Sequence, residues 1–351
     1  MPDGLNCRGN FSLSNPTSLP ESITSLPKAE LHLHLEGSIQ PPTMRALMSR
    51  YGLNVSEEEV KLRYAYSNFS EFIEAFKWVT SFLREPRDYA LITRDLAEHL
   101  LLQGVVYAEV TLSVGVMLVR QQRPATNFEA IIRESEHFAG RGLRLNWIFD
   151  AARQFGAEAA MQVVDAARNC ASPSIVAFGI GGDELSVDTR EFRSVYDEAA
   201  NLGLHRLMHA GEVGGPARIR EAIELLGVER IGHGIASIND PALMDLLAER
   251  RIPLEICPTS NVKTGALELQ LHRPHPAIEE HPLPQLYRHG IPVVLSTDDP
   301  AMFHTTLTEE YENARRMGLS EPELSQLACL SFEYAFLSDA GKRALQRRSR
   351  E

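Results

Sequence analysis

Short apolar segments alternate with longer segments of helical spacing along this chain, and the alternation constrains the fold more than any other feature. Strands that alternate with helices form parallel βαβ units, and eight such units close into a (β/α)8 barrel of the TIM type. We therefore predict an α/β barrel. A doubly wound open sheet is the main alternative, but no G-x-G-x-x-G motif follows the first predicted strand. The predicted strands are residues 29–35, 105–112, 143–149, 175–180, 205–210, 230–233, 253–257 and 292–297.

The chain is longer than a barrel requires. A barrel of this type needs about 250 residues, whereas the chain has 351. The largest excess, residues 39–104, lies between the first two predicted strands, where we expect extra helices. One of them places Phe72 and Phe76 on an apolar side that either packs against the barrel or covers its mouth. We expect a loosely ordered lead-in over residues 1–25, a single barrel domain over residues 26–340 and a basic, solvated tail over residues 341–351.

Composition and charge argue against several classes of protein. A formal net charge of −12 argues against a nucleic-acid partner, because such proteins need a basic face. No apolar run approaches the ~18 residues of a membrane span, and the first 25 residues hold no apolar signal segment. The cysteines are widely separated, at Cys7, Cys170, Cys257 and Cys329. We therefore expect reduced thiols in a cytoplasmic protein that does not bind a membrane.

The first predicted strand carries two histidines on one face. Polar and apolar residues alternate from Glu30 to Leu35, so His32 and His34 project from the same side of a strand. Two imidazoles about 7 Å apart along a strand can converge on one ion. The pair alone is weak evidence, because two histidines can also form hydrogen bonds inside a core.

Three later predicted strands end in groups of the same kind. Catalytic residues of such barrels lie at the C-terminal ends of the strands, so these groups would share one rim with His32 and His34. They are Met208-His209-Ala210-Gly211-Glu212, Gly232-His233-Gly234 and Ser296-Thr297-Asp298-Asp299-Pro300. Three neutral imidazoles and one carboxylate suit Zn²⁺. We predict that one zinc ion is bound by His32, His34, His209 and Asp298, although other divalent metals could occupy the same ligands.

Two further side chains at this rim could move protons. A carboxyl group in a closed pocket has a raised pKa, which would suit Glu212 for the role of general acid. Glycines flank His233, which could be a fourth histidine ligand or could orient and deprotonate a water molecule, and we prefer the second role. Bound Zn²⁺ lowers the pKa of water from about 16 toward 7. The pattern therefore indicates a hydrolytic enzyme.

Six motifs stand in the order that is typical of the adenosine deaminase family. They are His32-Leu33-His34-Leu35-Glu36-Gly37-Ser38, Gly182-Asp183-Glu184, His209-Ala210-Gly211-Glu212, Gly232-His233-Gly234, Cys257-Pro258-Thr259-Ser260-Asn261 and Ser296-Thr297-Asp298-Asp299-Pro300. The chain resembles this family from about Pro27 to Tyr311. The resemblance implies a metal-dependent barrel that hydrolyses the 6-amino group of an adenosine-type nucleoside. The expected partners are thus a small purine substrate and water.

The resemblance also implies roles for individual residues. Glu212 would protonate the purine ring nitrogen next to the attacked carbon. His233 would orient the zinc-bound water and accept its proton. Asp299 would hold the imidazole side of the purine, and the backbone of Gly182 would donate to the remaining ring nitrogen.

One departure from the family pattern concerns the sugar side of the substrate. Glu36 stands where adenosine deaminases usually carry Asp, near the ribose. Relatives act on free adenine, or on aminodeoxyfutalosine, whose sugar carries a carboxyphenyl extension. Such an extension would need a cation, and Arg153 and Lys77 are candidates, although both could instead be solvated surface charges. The substrate therefore stays open between adenosine, adenine and aminodeoxyfutalosine.

Three rival classes stay open as well. A two-metal barrel hydrolase commonly carries a modified lysine on its fourth strand, and residues 175–180 contain no lysine. A cytidine-type deaminase would need a Pro-Cys-x-x-Cys motif, which this chain lacks. A binding protein with a structural zinc would not need the spare groups Glu212 and His233. The oligomeric state is not predicted. We expect solvent exposure for His272, His275, His281 and His289.

Overall fold

The strands of this computed structural model, which describes Ile23 and residues 26–348, form a closed barrel. Eight strands within these residues make one parallel sheet in chain order. A parallel bridge between Leu33 and Asp298 joins the last strand to the first. The predicted (β/α)8 barrel is therefore confirmed. The strands are β1 (Lys28–His34), β2 (Val105–Leu112), β3 (Arg144–Ala152), β4 (Ile175–Gly181), β5 (His205–Ala210), β6 (Arg230–His233), β7 (Leu254–Ile256) and β8 (Val293–Leu295).

Helices connect the strands and surround the barrel. The α-helices are α1 (Pro41–Arg50), α2 (Glu57–Arg63), α3 (Phe69–Thr80), α4 (Pro86–Leu102), α5 (Val114–Val119), α6 (Pro124–Ala139), α7 (Gly156–Cys170), α8 (Arg193–Asn201), α9 (Pro216–Leu226), α10 (Pro241–Arg250), α11 (Pro258–Lys263), α12 (Ala266–Leu271), α13 (Leu283–Arg288), α14 (Pro300–Phe303), α15 (Leu307–Arg316), α16 (Glu321–Glu333) and α17 (Asp339–Arg348). Short 3-10 helices span Glu36–Ser38, Arg153–Phe155, Thr189–Phe192, Ile235–Asn239 and Ile278–Glu280. Helices α1 to α4 lie between β1 and β2, as the excess length predicted. Among the described residues, no helix has the length and apolar character that a membrane crossing requires.

The strands are buried on both faces, as expected for a barrel inside a layer of helices. In β1 the alternation predicted from the sequence holds. Leu33 is fully buried and belongs to the main hydrophobic core. His32 and His34 turn instead toward the histidines of β5 and β6.

The N-terminal end of the barrel is closed by a buried charge network. The guanidinium of Arg230 is 1% exposed and contacts Glu109 at 2.6 Å and Glu255 at 2.5 Å. It also stacks on the ring of Phe336, 3.7 Å from its centroid. Two carboxylates around one cation offset the cost of burying these charges only if the geometry is retained. The segment after α16 is therefore part of the barrel floor.

The structure describes most of the C-terminal segment but little of the N-terminal one. Apart from Ile23, the predicted lead-in over residues 1–25 lies outside the described residues. The segment predicted to be a solvated tail is helical as far as Arg348, in α17. Leu345 is buried in a cluster with Phe332 and Ala335. The apolar side chain of Leu345 thus packs this helix against the end of the barrel, where the sequence suggested only a solvated tail.

Candidate metal centre and active site

Four strand ends meet in one cluster of imidazoles and a carboxylate. The ring centroid of His32 lies 4.6 Å from that of His209, 5.0 Å from that of His233 and 5.6 Å from that of His34. Asp298 follows β8, and its Oδ1 lies 3.3 Å from His34 Nε2. Each of these side chains is buried. The structure therefore brings together the four side chains that the sequence predicted as metal ligands.

Backbone pairing between the first and last strands fixes the cluster. The N–H of His34 donates to the carbonyl oxygen of Asp298 at 2.7 Å, and the N–H of Asp298 donates to the carbonyl oxygen of His32 at 3.0 Å. Asp298 has φ +67° and His233 has φ +60°, a conformation that most side chains avoid and that recurs at functional sites. At Gly232, a Cβ would lie 2.9 Å from Cε1 of His32, so only glycine lets the imidazole approach this closely.

The cluster fits a single metal ion. One ligand atom from each of four residues lies within 4.8 Å of the others, namely His32, His209, His233 and Asp298. A second, overlapping group consists of His34, Asp298 and Asp299. Within the described structure, His32 Nε2 is buried without a hydrogen-bond partner. Unpaired buried nitrogens beside a carboxylate are costly unless a cation or another partner satisfies them.

The protonation of the imidazoles supports this interpretation. Burial lowers the pKa of His34 to about 4 and that of His209 well below its ordinary value, so both rings are neutral at pH 7, as metal ligands must be. Burial also opposes protonation of His32, but the carboxylates of Asp298 and Glu255 outweigh it and raise the pKa of His32 to about 10. A bound cation would therefore compete with the proton on His32.

Glu255 orients the first histidine from behind. Its Oε2 accepts a hydrogen bond from His32 Nδ1 at 2.8 Å, which leaves His32 Nε2 facing the cluster, 3.5 Å from Asp298 Oδ1. Carboxylates commonly hold metal-binding histidines in this way. The sequence interpretation missed Glu255. The available signal was a single charged residue in the middle of the apolar strand β7.

The carboxylate of Asp298 is held in its ionised form. Burial opposes ionisation, but His32, whose Nε2 lies 3.5 Å from Oδ1, and the nearby imidazoles keep the pKa of Asp298 well below its ordinary value. The hydroxyl of Ser260 donates to Asp298 Oδ2 at 2.6 Å. The aspartate therefore presents a negative charge to the cluster.

A chain of hydrogen bonds fixes the tautomer of His233. The backbone N–H of Leu283 donates to His281 Nδ1 at 3.1 Å, so His281 carries its proton on Nε2 and donates to Asn261 Oδ1 at 3.1 Å. Asn261 Nδ2 then donates to His233 Nδ1 at 3.1 Å. His233, whose pKa burial lowers to about 3, is thus neutral with its proton on Nε2.

The position of His281 differs from the prediction. We expected this histidine to meet solvent, but it is 3% exposed and lies behind Asn261. The Pro-rich composition of the surrounding loop suggested exposure. The loop instead folds inward, because the 3-10 turn Ile278–Glu280 and α13 lead the chain back to β8.

Glu212 lies in a loop that one buried carboxylate holds in place. Glu184, which follows β4, accepts from four successive backbone N–H groups at 2.6–3.1 Å, those of Gly211, Glu212, Val213 and Gly214. The carboxyl group of Glu212 lies 3.6 Å from His233 Nε2. Burial, and then the charges of Asp298 and Glu184, raise the pKa of Glu212 well above its ordinary value. Glu212 therefore holds a proton at a pH where an exposed glutamate is ionised.

Asp299 and Gly182 line the cavity, whereas Glu36 is buried and is not one of the residues that line it. Asp299 is buried and lines the cavity; burial and the charge of Asp298 raise its pKa well above its ordinary value. Gly182 also lines the cavity, with φ +87°. Glu36 is 1% exposed, accepts from Ser113 N–H at 3.0 Å and has a pKa raised by burial to about 7. The structure therefore brings Asp299 and Gly182, but not Glu36, to the cavity wall.

A cavity of about 350 Å³ opens from the metal cluster. Helix α3 covers one side of it with Phe72 and Phe76, whose ring centroids are 6.0 Å apart. Phe72 also stacks on Phe303 at 5.0 Å, next to the end of β8. Opposite lies Asp150, a buried aspartate near the end of β3 that the sequence interpretation missed. An acidic residue after Trp147-Ile148-Phe149 was the available signal.

The two cations proposed from the sequence differ in position. Arg153 is 2% exposed, and its guanidinium donates to Val187 O and Thr189 Oγ1 and contacts Met208 Sδ. The position of Arg153 does not support a substrate contact, and it is not a surface charge either. Lys77 lies on the cavity wall. Arg120, which the sequence interpretation missed, lies there too.

Comparison with known proteins places the chain among purine deaminases. The family model described as adenosine deaminase matches residues 27–350. An aminodeoxyfutalosine deaminase of Streptomyces coelicolor is 37% identical over 93% of this chain and 84% of that relative. An adenosine deaminase of Vibrio cholerae is 32% identical over 92% of this chain and 97% of that relative. The crystal structure of an adenine deaminase from Arthrobacter aurescens superposes with a TM-score of 0.85. It is 29% identical in sequence, and the superposition covers 92% of this chain and 98% of that one. These relatives are named as deaminases of different substrates, and the chain belongs to the adenosine deaminase family.

Proposed function

We propose that this protein hydrolyses the 6-amino group of a purine nucleoside of the adenosine type and releases ammonia, with one zinc ion as cofactor. The observation that carries the proposal is the position of Glu212. A carboxyl group with a raised pKa lies 3.6 Å from His233 and lines the same cavity as the metal cluster. A structural metal site would have no use for such a group.

Zinc would be held by His32, His34, His209 and Asp298. His233 is the less suitable ligand, because its Nδ1 accepts from Asn261 and its Nε2 therefore carries a proton. When bound, zinc acts as a Lewis acid that makes water nucleophilic near neutral pH. This assignment leaves the N–H of His233 free to orient the attacking water. Because Nε2 already carries this proton, we assign the acceptance of the water's proton to Glu212 and not, as the resemblance implied, to His233.

Glu212 would supply the first proton of the reaction. The water oxygen adds to C6 of the purine while the carboxyl of Glu212 donates its proton to N1, which makes C6 more electrophilic. The proton released by the water returns to Glu212. The hydroxyl proton of the tetrahedral intermediate then passes to the amino group, which leaves as ammonia, and a carbonyl forms at C6.

The remaining groups would orient the base. Asp299, protonated because its pKa is raised, donates to the imidazole side of the purine, and the N–H of Gly182 donates to N3. Only glycine fits this position, because φ is +87° and a Cβ there would lie 2.4 Å from Gln154 Oε1. Holding both sides of the base aligns C6 with the attacking water.

A second candidate substrate is aminodeoxyfutalosine. The cavity of about 350 Å³ is lined by the metal cluster and also by an apolar wall that includes Phe72 and Phe76 of α3. An aryl substituent on the sugar would fit this apolar wall. Free adenine would leave the space unfilled.

Ammonia release from adenosine, adenine and aminodeoxyfutalosine by the zinc-loaded protein tests the proposal. We expect one zinc per chain and activity toward at least one nucleoside. Glu212→Gln should keep the zinc and lose activity by a factor of about 10²–10⁴, whereas Glu224→Gln, the same change at an exposed position, should not. Two metal ions per chain would favour a two-metal hydrolase, and a metal-loaded protein inert toward all three compounds would refute the proposal.

A further inference from the structure

We infer that Arg120 binds an anionic group at the far end of the substrate's sugar substituent, so that the preferred substrate is an anionic 6-aminopurine nucleoside. This inference rests on the proposed function, because it assumes that the purine lies beside Glu212. It assigns a residue and a charge to the part of the cavity wall where the end of α5 meets the C-terminal end of α3.

Arg120 is a cation without an anionic partner in the described part of the chain. It follows α5 and lines the same cavity as His209 and Asp298. Its Nη2 donates to the carbonyl oxygen of Lys77 at 2.9 Å and to Thr80 Oγ1 at 3.0 Å. These bonds fix the guanidinium but leave its charge uncompensated. A half-buried, unpaired guanidinium is destabilising unless an anion binds to it.

Two arginines on or next to the neighbouring helices α4 and α6 do have anionic partners. Arg94 pairs with Glu134 at 2.6 Å, and Arg141 pairs with Glu98 at 2.5 Å, although both are more exposed to solvent. The chain carries 47 acidic and 35 basic residues, so carboxylates are abundant. An arginine left unpaired at a cavity wall in such a chain therefore points to a ligand anion.

Lys77 is a weaker candidate for this role. It lines the cavity, but its side chain is 61% exposed and Nζ already contacts Glu74 at 2.7 Å. A planar guanidinium can also bind a carboxylate through two parallel hydrogen bonds, which an ammonium group cannot do. Arg120 is thus the better match for an anion with two or more oxygens.

Helix α3 gives a length scale along the cavity wall, because Phe72 and Thr80 both line the cavity. Phe72 stacks on Phe303 beside the end of β8, and Thr80, which contacts Arg120, is eight residues further along the same helix. Eight residues span about 12 Å. A purine base held between Glu212 and Asp299 is too short to reach Arg120, whereas a nucleoside with an extended anionic substituent is long enough.

The wall between these ends is apolar. It includes Phe76 from α3, Val116 and Val119 from the segment before Arg120, and Phe155 after β3. Apolar and aromatic surface suits an aryl linker between the sugar and the anion. This favours an aryl carboxylate over a phosphate attached directly to the sugar, although both offer the anionic oxygens that Arg120 can bind.

Four compounds test separately whether the enzyme recognises the charge or the size of the sugar substituent. They are adenosine, adenosine 5′-monophosphate, aminodeoxyfutalosine and the methyl ester of aminodeoxyfutalosine, which keeps the aryl group without the charge. We expect the wild type to prefer the free acid to its ester. Arg120→Gln should lower kcat/KM for the free acid by about 10–100-fold, which corresponds to one or two charged hydrogen bonds, and should change kcat/KM for adenosine by less than about twofold.

Two variants control for charge and folding. Arg123→Gln removes the same charge from an exposed position three residues away and should leave the preference for the free acid intact. Arg120→Lys keeps the charge without the planar fork and should retain part of that preference, while activity toward adenosine reports that each variant is folded. A preference for the 5′-monophosphate that Arg120→Gln abolishes would support the anion site and identify phosphate as its ligand.

The outcomes that overturn the inference differ from those that overturn the proposed function. Equal losses for acid, ester and adenosine in Arg120→Gln would show a structural role for Arg120. Equal kcat/KM for acid and ester in the wild type would show that the charge is not recognised. In both cases adenosine is still deaminated and the proposed function stands, whereas a wild type inert toward all four compounds would overturn both.

Discussion

The four hydrogen bonds received by Glu184 make a sharp prediction about the loop that carries Glu212. Glu184→Gln keeps the shape of the side chain but replaces one oxygen with an NH₂ group, which cannot accept. The orientation that loses the fewest hydrogen bonds places this group next to the N–H of Gly211, which in the wild type donates to Oε1 at 2.6 Å. The other three N–H groups would keep an oxygen acceptor without its charge.

The size of the effect follows from these bonds. A hydrogen bond to a charged group contributes about 1.5–3 kcal/mol and a neutral one about 0.5–1.5 kcal/mol. One charged bond is lost and three are weakened, but bonds that share one carboxylate are not additive. We take about 3 kcal/mol as the cost of keeping the loop in place. If that cost falls on the transition state, kcat drops by about 100-fold.

The assay is steady-state ammonia release with adenosine, together with zinc content and thermal unfolding. We expect Glu184→Gln to retain its zinc, since Glu184 contacts none of the metal ligands by hydrogen bond, and to lose mainly kcat. Glu191→Gln, at an exposed position in the 3-10 turn Thr189–Phe192, is the matched control. A kcat within about threefold of the wild type in a folded, zinc-loaded Glu184→Gln protein would refute the positioning role, because the loss of one charged hydrogen bond predicts a larger decrease.

Three other buried groups lead to measurable effects. Glu255→Gln should weaken zinc binding by about 10–100-fold in a chelator competition, because His32 loses its charged partner; an unchanged affinity would argue against orientation by Glu255. Asn261→Leu should lower kcat more than it raises KM, because His233 Nδ1 loses its donor, and equal kcat would show that the tautomer of His233 does not matter. Burial raises the pKa of Glu310 from 4.5 to about 7 in the folded protein. Between these two values the folded chain keeps a proton that the unfolded chain has lost. The wild type therefore loses stability as the pH rises from about 4.5 through 7. Urea unfolding should therefore show Glu310→Gln gaining stability relative to the wild type between pH 5 and pH 8, and a constant difference would contradict this.

The sequence alone predicted the barrel and named the four candidate metal ligands that the structure brings together. Alternating strands and helices specify parallel βαβ units, and the period-two pattern of β1 places His32 and His34 on one face. The strand ends that carry His209 and Asp298 share a rim because parallel strands in a barrel all point the same way. These are local properties, and a linear pattern can record them.

The tertiary structure alone decided which distant side chains support that rim. Glu255, Glu184 and His281 lie on other strands or loops, and their contacts depend on barrel closure and on how each loop folds back. Arg153 and Arg120 look alike in the sequence, yet one is buried behind the wall and the other lines the cavity. The physical reason is that hydrophobic periodicity determines only the direction in which a side chain leaves its own backbone. The residue that it contacts depends on how distant segments pack together, and a local sequence pattern contains no information on that packing.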